Sequence, residues 1–245
     1  MGLQKMKGLA EKLAVAFSTR KTVDIASCTH FCAYRYGRHE TNPYETYMQG
    51  LAQGLPLQDI RHAFIEYLRH YRPTTLGDAL GVSLSVPYPL WFLPWRTLSQ
   101  VTSMPGWHPT PDYFVDAMTF FSPLGIPRRL LNKEFSWHED AFNAMKSTGY
   151  LPQRYGYITV RELKGETSVY IVTDGNHRLS ALSALGYTSV AVKQSPGSIV
   201  HRTHVARWPL VREGIVSQDD ALKIFDAYVD GNMKPMHTPI PAEIV

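Results

Sequence analysis

Cysteine is almost absent from this sequence of 245 residues, which contains only Cys28 and Cys32. Two cysteines cannot build the disulfide framework of many secreted domains, so we expect a protein of the reducing cytoplasm. Their C-x-x-x-C spacing lacks a second cysteine pair, which argues against a structural zinc site. The hydrophobic fraction of 44% and the charged fraction of 19% indicate an ordinary folded protein and exclude a disordered one.

Long apolar runs are also lacking. The most apolar stretch, residues 86–95, has about half of the ~20 residues that a transmembrane helix needs, and Pro87, Pro89 and Pro94 interrupt it. Residues 3–18 instead have the spacing of an amphipathic helix with basic residues around it. We expect this helix either to pack on the body of the protein or to lie on an anionic membrane surface.

An excess of positive charge is absent from most of the chain. The formal net charge is +4, and residues 1–21 alone contribute five basic residues against one acidic residue. The charges of residues 22–245 therefore cancel, with 20 basic and 20 acidic residues. This balance argues against the basic surface that nucleic-acid-binding proteins use, so we expect no nucleic acid partner.

Hydrophobic periodicity predicts an α+β fold. Strands are predicted over 155–163, 167–173 and 188–193, the first two forming a hairpin. Residues 74–127 are rich in proline and aromatic residues and are predicted to be irregular. Helices are predicted over 45–50, 58–72, 136–149 and 177–185, and from 218 to Gly231. In the third of these helices Ser136 is predicted as N-cap, with Glu139 completing a capping box, and Ser217 and Asp220 form the same pattern before the last.

Polar residues cluster where the second predicted strand meets the following helix, in the stretch TDGNHR at 173–178. The unpaired N–H groups at a helix start favour an anion. His177 and Arg178 would add a titratable donor and a bidentate donor, and Gly175 permits close approach of a ligand. Asp174 can cap the helix, orient its neighbours or hold a metal ion on a phosphate. These residues therefore indicate either a phosphate-binding pocket or an ordinary capped turn that leaves Arg178 on the surface.

A longer pattern surrounds these residues. A helix ending in STGYLPQRYGYITVRE is followed by a strand pair, and then by DGNHRLSALSALGYTSVAVK. Over residues 128–193 this order, with its D-G-x-H-R-x-x-A-x-x-x-L-G motif, resembles the ParB/sulfiredoxin superfamily. The resemblance implies an α+β core that binds a nucleotide, as ParB binds CTP, sulfiredoxin binds ATP and a free-serine-kinase branch binds ADP.

Departures from the superfamily pattern select among its branches. Sulfiredoxins have a catalytic cysteine directly before the His-Arg pair, where this chain has Asn176, so sulfinic acid repair is excluded. Partition ParB proteins carry a G-E-R-R box and a downstream helix-turn-helix domain, neither of which is found here. The D-G-x-H-R form is closest to the free-serine-kinase-like branch, which uses a glutamate as catalytic base. By position Glu134 in LLNKEF matches that glutamate, with Glu139 as the second candidate.

The resemblance implies a nucleotide-dependent phosphotransferase. We expect ATP or ADP with Mg²⁺, Glu134 as base with Asp174 and His177 as further catalytic residues, and the magnesium ion bound through Asp174. The acceptor would be a small hydroxylated molecule such as a sugar or amino-acid derivative. The long arms resemble those of proteins of bacterial surface-polysaccharide biosynthesis, which favours a sugar. The residues expected to bind the nucleotide phosphates are Asp174, Gly175, Asn176, His177 and Arg178.

Other residues carry weaker signals. His201, Arg202 and His204 follow the third predicted strand and are expected to line the same mouth as the phosphate-binding residues. The aromatic segment 36–47 can stack on a sugar or base, or simply pack over the core. His138, like most of the other histidines, is predicted to be an ordinary surface or core residue.

The sequence thus predicts three regions: a helical and irregular extension over 1–125, a ParB/sulfiredoxin-like core over 126–200, and a helical tail over 201–245 that packs on the core. Two functions from other classes remain open. One is a ParB-like nucleic-acid-binding or nuclease protein. The other is a nucleotide-binding module without turnover that docks to a membrane through residues 3–18.

Overall fold

The computed structural model describes residues 19–38, 42–70, 73–102 and 128–231. The predicted amphipathic helix at 3–18 lies outside these residues. The strands are β1 (Thr19–Asp24), β2 (Cys28–Thr29), β3 (Ile158–Lys164), β4 (Ser168–Asp174) and β5 (Ser189–His201). The helices are α1 (Pro43–Gln53), α2 (Leu57–His70), α3 (Leu76–Leu80), α4 (Leu98–Thr102), α5 (Arg128–Thr148), α6 (Pro152–Tyr155), α7 (Asn176–Ala184), α8 (Pro209–Arg212) and α9 (Gln218–Asp230), with 3₁₀ turns at Ile25–Ser27 and Arg202–Arg207.

The strands form one mixed sheet in the order β1-β5-β3-β4-β2. Strands β3 and β4 are an antiparallel hairpin, with Lys164 opposite Ser168 at its turn. Strand β5 runs parallel to β3, which places Ile158 beside Val192 and Lys164 beside His201. Strand β2 runs parallel to β4 at the other edge. The carboxyl end of β4, where α7 begins, is therefore the opposite end of the sheet from His201.

Apolar side chains are buried on both faces of the sheet. On one face Val160 and Val172 pack with Leu179 of α7 and Phe142 of α5. The other face is covered by α9 and by the segment 76–101, and its core contains the apolar residues Leu163, Ile171, Trp95, Phe225 and Tyr228. A third cluster, with Tyr47, Phe64 and Phe135 among its members, joins α1, α2 and α5. Helix α5 is thus held between the sheet and the helices of the extension.

The main predicted elements of the core are confirmed, and the fold is α+β. The hairpin, the helix after the Asp-Gly turn and the following strand are all present. The last helix begins at its predicted N-cap, since Ser217 Oγ accepts a hydrogen bond from the Asp220 N–H at 3.1 Å. The capping box there is incomplete, because the Asp220 carboxylate instead accepts a hydrogen bond from Tyr88 Oη at 3.0 Å.

The structure differs from the predicted elements in the extension, at the start of α5 and in β5, which continues to His201. Strand β1 pairs with β5 along its whole length, and β2 pairs with β4, so the extension contributes two strands to the sheet as well as helices. Ser136 is not an N-cap, because α5 begins eight residues earlier and Ser136 lies within it. Glu139 consequently has no capping role. Residues 73–102 are mostly irregular, as predicted, with the short helices α3 and α4.

No helix within the described ranges is both long and apolar enough to cross a membrane.

Glu45 is a buried carboxylate in α1 and gives the protein a specific pH dependence. Burial raises the pKa of Glu45 to about 7, against an ordinary value of 4.5, even though Ser183 and the Gly37 N–H donate hydrogen bonds to it. Between these two values the native protein binds the proton more tightly than the unfolded chain, so its stability falls as the pH rises through this window.

We therefore expect Glu45→Gln to be about 2–3 kcal/mol more stable than the wild type at pH 8 and nearly equal to it at pH 4.5. Urea denaturation across this range measures the difference, with the exposed Glu213→Gln as a control that shows no such trend. A constant difference between the Glu45→Gln protein and the wild type at all pH values would contradict this assignment.

Candidate functional site

The junction between β4 and α7 is a sharp turn at Gly175. Its φ of +88° lies in the left-handed region that favours glycine. Gly175 is itself the N-cap of α7, and no side chain caps the helix. Asp174 therefore does not cap the helix, which was one of the three roles that the sequence left open for it. The first N–H groups of the helix, from Asn176 to Arg178, are left without a side-chain acceptor, which is the arrangement that binds anions.

Arg178 folds back over this turn. Its guanidinium donates hydrogen bonds to the backbone oxygens of Tyr155 (3.2 Å) and Gly156 (2.5 Å), and to Asp174 Oδ2 at 3.4 Å. The side chain is 19% exposed, whereas that of Asp174 is 73% exposed. Arg178 therefore fastens the end of α6 to the start of α7, and its positive charge stays at the helix N-terminus.

Asn176 anchors the first turn of α7 to the extension. Its Oδ1 accepts a hydrogen bond of 2.8 Å from the hydroxyl of Tyr36, which is completely buried. The amide oxygen is thus used for positioning. A cysteine here could not accept this bond equally well, because sulfur is a weak acceptor.

The most direct link between the predicted site residues is the contact of Glu134 with His177. Glu134 Oε1 lies 2.8 Å from His177 Nε2, although the two residues are 43 positions apart in the sequence. Burial alone would raise the pKa of Glu134, but the hydrogen bond from His177 and the neighbouring positive charges bring it below its ordinary value. Glu134 is therefore a carboxylate, and it accepts the Nε2–H of His177. The other ring nitrogen, Nδ1, is then the one that can accept a proton.

His138 completes a cluster that the sequence did not predict. It lies one helical turn after Glu134, and its Nδ1 donates to the Glu134 backbone oxygen at 2.7 Å. Burial lowers the pKa of His138 to about 4, so the ring is neutral at pH 7. Its Nε2 is buried without a hydrogen-bond partner. The i,i+4 spacing of Glu134 and His138 on one helix was the available sequence signal.

Aromatic rings from the extension cover these histidines. Tyr44 stacks on His138 with ring centroids 5.5 Å apart and also contacts His177. His30 lies against Tyr44 at 4.8 Å, and burial together with the nearby His177 and His138 lowers the pKa of His30 to about 3. Tyr44 of the aromatic segment therefore packs over the site, and no sequence signal links it to His138.

Groups that could ligate a metal ion lie at two places in this region. Glu134, His138 and His177 each offer a ligand atom, and these atoms lie within 4.8 Å of one another. Two imidazoles and a carboxylate suit Zn²⁺ or Fe²⁺ better than Mg²⁺. Asp174, in contrast, offers an exposed carboxylate beside the uncapped helix. One carboxylate with phosphates and waters is the set that Mg²⁺ commonly takes, so Asp174 fits that ion.

The remaining predicted residues lie elsewhere. Glu139 accepts hydrogen bonds from Tyr47 Oη at 2.8 Å and from Arg61 at 2.7 and 3.0 Å, so it joins α5 to α1 and α2. His201, Arg202 and His204 do not line the same mouth as the Asp174–Arg178 turn, because His201 ends β5 and the other two follow it at the far end of the sheet. There Arg202 forms a bidentate pair with Asp226, both bonds being 2.8 Å.

Comparison of the sequence and structure with known protein families, curated proteins and solved structures finds no match.

Proposed function

We propose that this protein transfers a phosphoryl group from a nucleotide to the hydroxyl of a small acceptor, and that β3–β5 with α5–α7 form a ParB/sulfiredoxin-like core. The observation that carries the proposal is the 2.8 Å contact between Glu134 Oε1 and His177 Nε2. This contact joins a buried carboxylate to an imidazole at the uncapped N-terminus of α7. A proton acceptor and an anion-binding helix end therefore lie side by side, and phosphoryl transfer depends on positioning and charge of this kind.

The nucleotide phosphates would be bound by the backbone at the start of α7. The N–H groups of Asn176, His177 and Arg178 are uncapped, and the helix dipole favours an anion beside them. Gly175 lets a phosphate approach the backbone closely. In this role Arg178 keeps the turn in place and contributes charge, since its guanidinium already donates to two backbone oxygens.

His177 would act as general base. Its Nδ1 takes the proton from the acceptor hydroxyl as that oxygen bonds to phosphorus and the bond to the leaving nucleotide oxygen breaks. The Glu134 carboxylate orients the imidazole and stabilises its protonated form. Sequence reasoning assigned the base to Glu134 itself. The contact with His177, and an exposure of only 8% for Glu134, favour a supporting role for the carboxylate.

Mg²⁺ would be held by Asp174 together with the nucleotide phosphates. When bound, the ion neutralises charge on the phosphates. A sugar or amino-acid hydroxyl is the acceptor class that we expect, with a polysaccharide precursor as one example.

Nucleotide binding is the first experiment. Isothermal titration calorimetry with ATP, ADP, CTP and GTP, each with Mg²⁺, should detect binding of at least one of them. Transfer of the terminal phosphate to sugars and amino acids would then be followed by ³¹P NMR. Binding without transfer to any acceptor would favour a nucleotide-binding module, and strongly salt-dependent binding of DNA would favour a ParB-like nucleic-acid function. Absence of nucleotide binding would refute the proposal.

The cluster of Glu134, His138 and His177 supports a second candidate, a metal-dependent hydrolase. The unpartnered Nε2 of His138 and the proximity of the three ligand atoms favour it. Titration of the chelator-treated protein with Co²⁺, followed by its visible absorption, tests this function. A tight 1:1 complex that His138→Gln abolishes would support the metal site that such a hydrolase needs. The same ligation would occupy the Glu134 carboxylate, which the proposed phosphotransferase needs to orient His177.

A further inference from the structure

A cleft opens beside the end of β4, where it is lined by Ile171, Val172 and Thr173. Its volume is about 180 Å³, and it is lined by three aromatic rings, two arginines and the end of β4. Thr173, which lines the cleft, is followed directly by the Asp174-Gly175 turn. Phe31, which also lines the cleft, follows His30, whose ring is close enough to His177 and His138 for their charges to affect it. The lining of the cleft and the candidate site thus include neighbouring residues of the chain at the end of β4 and at residues 30–31.

Arg96 and Arg161 are both half-buried in this cleft. Within the part of the chain that the structure describes, no carboxylate forms an ion pair with either guanidinium, and the Nε of Arg161 is buried without an acceptor. Burial lowers the pKa of both arginines, and the charge of Arg96 lowers that of Arg161 further. Two half-buried cations that line one cleft without a counter-ion are costly to keep, so an anion bound in the cleft would stabilise the protein.

The aromatic lining indicates what accompanies that anion. Phe31 and Trp91 have ring centroids 5.5 Å apart, and Trp95 also lines the cleft. Trp95 carries a second buried donor, Nε1–H, which has no acceptor among the described residues. Aromatic rings pack well against the apolar face of a sugar or another ring, while guanidinium groups bind phosphate and carboxylate oxygens.

We propose that Arg96 and Arg161 bind the phosphate or carboxylate group of a small-molecule acceptor, whose ring packs against Phe31, Trp91 and Trp95. This assignment rests on the proposed function, in which the acceptor hydroxyl must reach His177 from a neighbouring pocket. It narrows the acceptor class to anionic molecules, such as sugar phosphates or uronic acids.

The test uses Arg161→Met, which removes the charge but keeps an unbranched side chain. Because no partner is left unpaired, we expect this variant to melt no lower than the wild type in anion-free buffer. Arg202→Met is the control, since Arg202 pairs with Asp226 at the other end of the sheet. The probes are inorganic phosphate, glucose 6-phosphate, glucuronate and uncharged glucose.

Binding is read from the indole N–H signal of Trp95 in ¹⁵N NMR spectra, assigned with Trp95→Phe. Phosphate and glucose 6-phosphate should shift this signal, and Arg161→Met should weaken their affinity about tenfold or more, as expected for a charged hydrogen bond. Arg202→Met should leave the affinity unchanged. Binding of glucuronate would extend the ligand class to carboxylates, whereas glucose alone should bind at least tenfold more weakly than its phosphate.

Equal anion affinity in Arg161→Met and the wild type, or no shift of the Trp95 signal, would overturn the assignment. The backbone amides of Asn176, His177 and Arg178 report separately on the nucleotide site. If phosphate shifts the Trp95 signal while no nucleotide shifts these amides, the anion site stands and the phosphotransferase does not. If nucleotides shift the amides and no anion shifts the Trp95 signal, the phosphotransferase proposal stands and the anion site does not.

Discussion

Replacing Glu134 with glutamine is expected to lower the turnover number for phosphate transfer about 100-fold or more, while the nucleotide dissociation constant changes little. Glutamine keeps the shape of the side chain, and its oxygen can still accept the Nε2–H of His177, but the negative charge is lost. In the proposed reaction the imidazole of His177 becomes protonated, and in Glu134→Gln this protonated form would lose its stabilising partner. General bases of this kind contribute about 10²–10⁴-fold to rates.

Steady-state kinetics and calorimetry on the same preparation measure the two effects. Glu139→Gln is the matched control, since Glu139 lies on the same helix but bonds to Tyr47 and Arg61, so we expect full turnover with some loss of stability. The melting temperature separates a chemical role from a structural one, because a structural defect would lower it together with the turnover number. Unchanged turnover in Glu134→Gln would remove Glu134 from the reaction.

Gly175→Ala is expected to lower the free energy of unfolding by about 3 kcal/mol, from strain and overpacking together. The φ of +88° disfavours any L side chain, and the added Cβ would lie 2.9 Å from Ile158 Cγ1 and from one guanidinium nitrogen of Arg178. Ile158 is completely buried and has no room to move. The substitution must therefore displace Arg178 from the turn or distort the start of α7.

Gly186 provides the control for this second prediction. Its φ is +84°, but no atom lies within 4 Å of the position a Cβ would take. Gly186→Ala should therefore cost only about 1 kcal/mol, which is the backbone term alone. Urea denaturation of both variants measures the difference. If the two substitutions lower the free energy of unfolding equally, Arg178 and Ile158 do not pack closely around the turn at Gly175.

Local patterns predicted the centre of the molecule because its elements are short, strongly periodic and bounded by turns. The Asp174-Gly175 turn could be found in this way, since a run of β-branched residues stops there and a helix follows. The edge strands could not be found. Only Val23 is buried in β1, and β2 has two residues, so neither gives an alternating pattern.

The start of α5 was predicted eight residues too late for a physical reason. Ser136 has the local signature of a cap, but Leu130 and Phe135 are buried against other elements and continue the helix before it. Packing of this kind outweighs a capping preference of about 1 kcal/mol. Ser136 Oγ instead donates to Asp140 within the helix.

The candidate site could be predicted only in part. The resemblance of the DGNHR motif led to Glu134, and the structure brings the two together, while their roles stay a prediction. Tyr44 and His30 come from distant parts of the chain, so no spacing in the sequence links them to His138. The pair of Arg96 and Arg161 could not be predicted for the same reason. Only the folded structure shows that no carboxylate forms an ion pair with either guanidinium among the described residues.

We expect the first N–H groups of α7 to bind nucleotide phosphates, and ¹⁵N NMR measures this directly. On saturation with Mg²⁺ and ADP or ATP, the amide protons of Asn176, His177 and Arg178 should move downfield, as expected when an N–H gains a hydrogen bond to a charged oxygen. Adenosine, which has no phosphate, should leave them unchanged. If none of ATP, ADP, CTP or GTP shifts these three amides, binding of nucleotide phosphates at the start of α7 is contradicted.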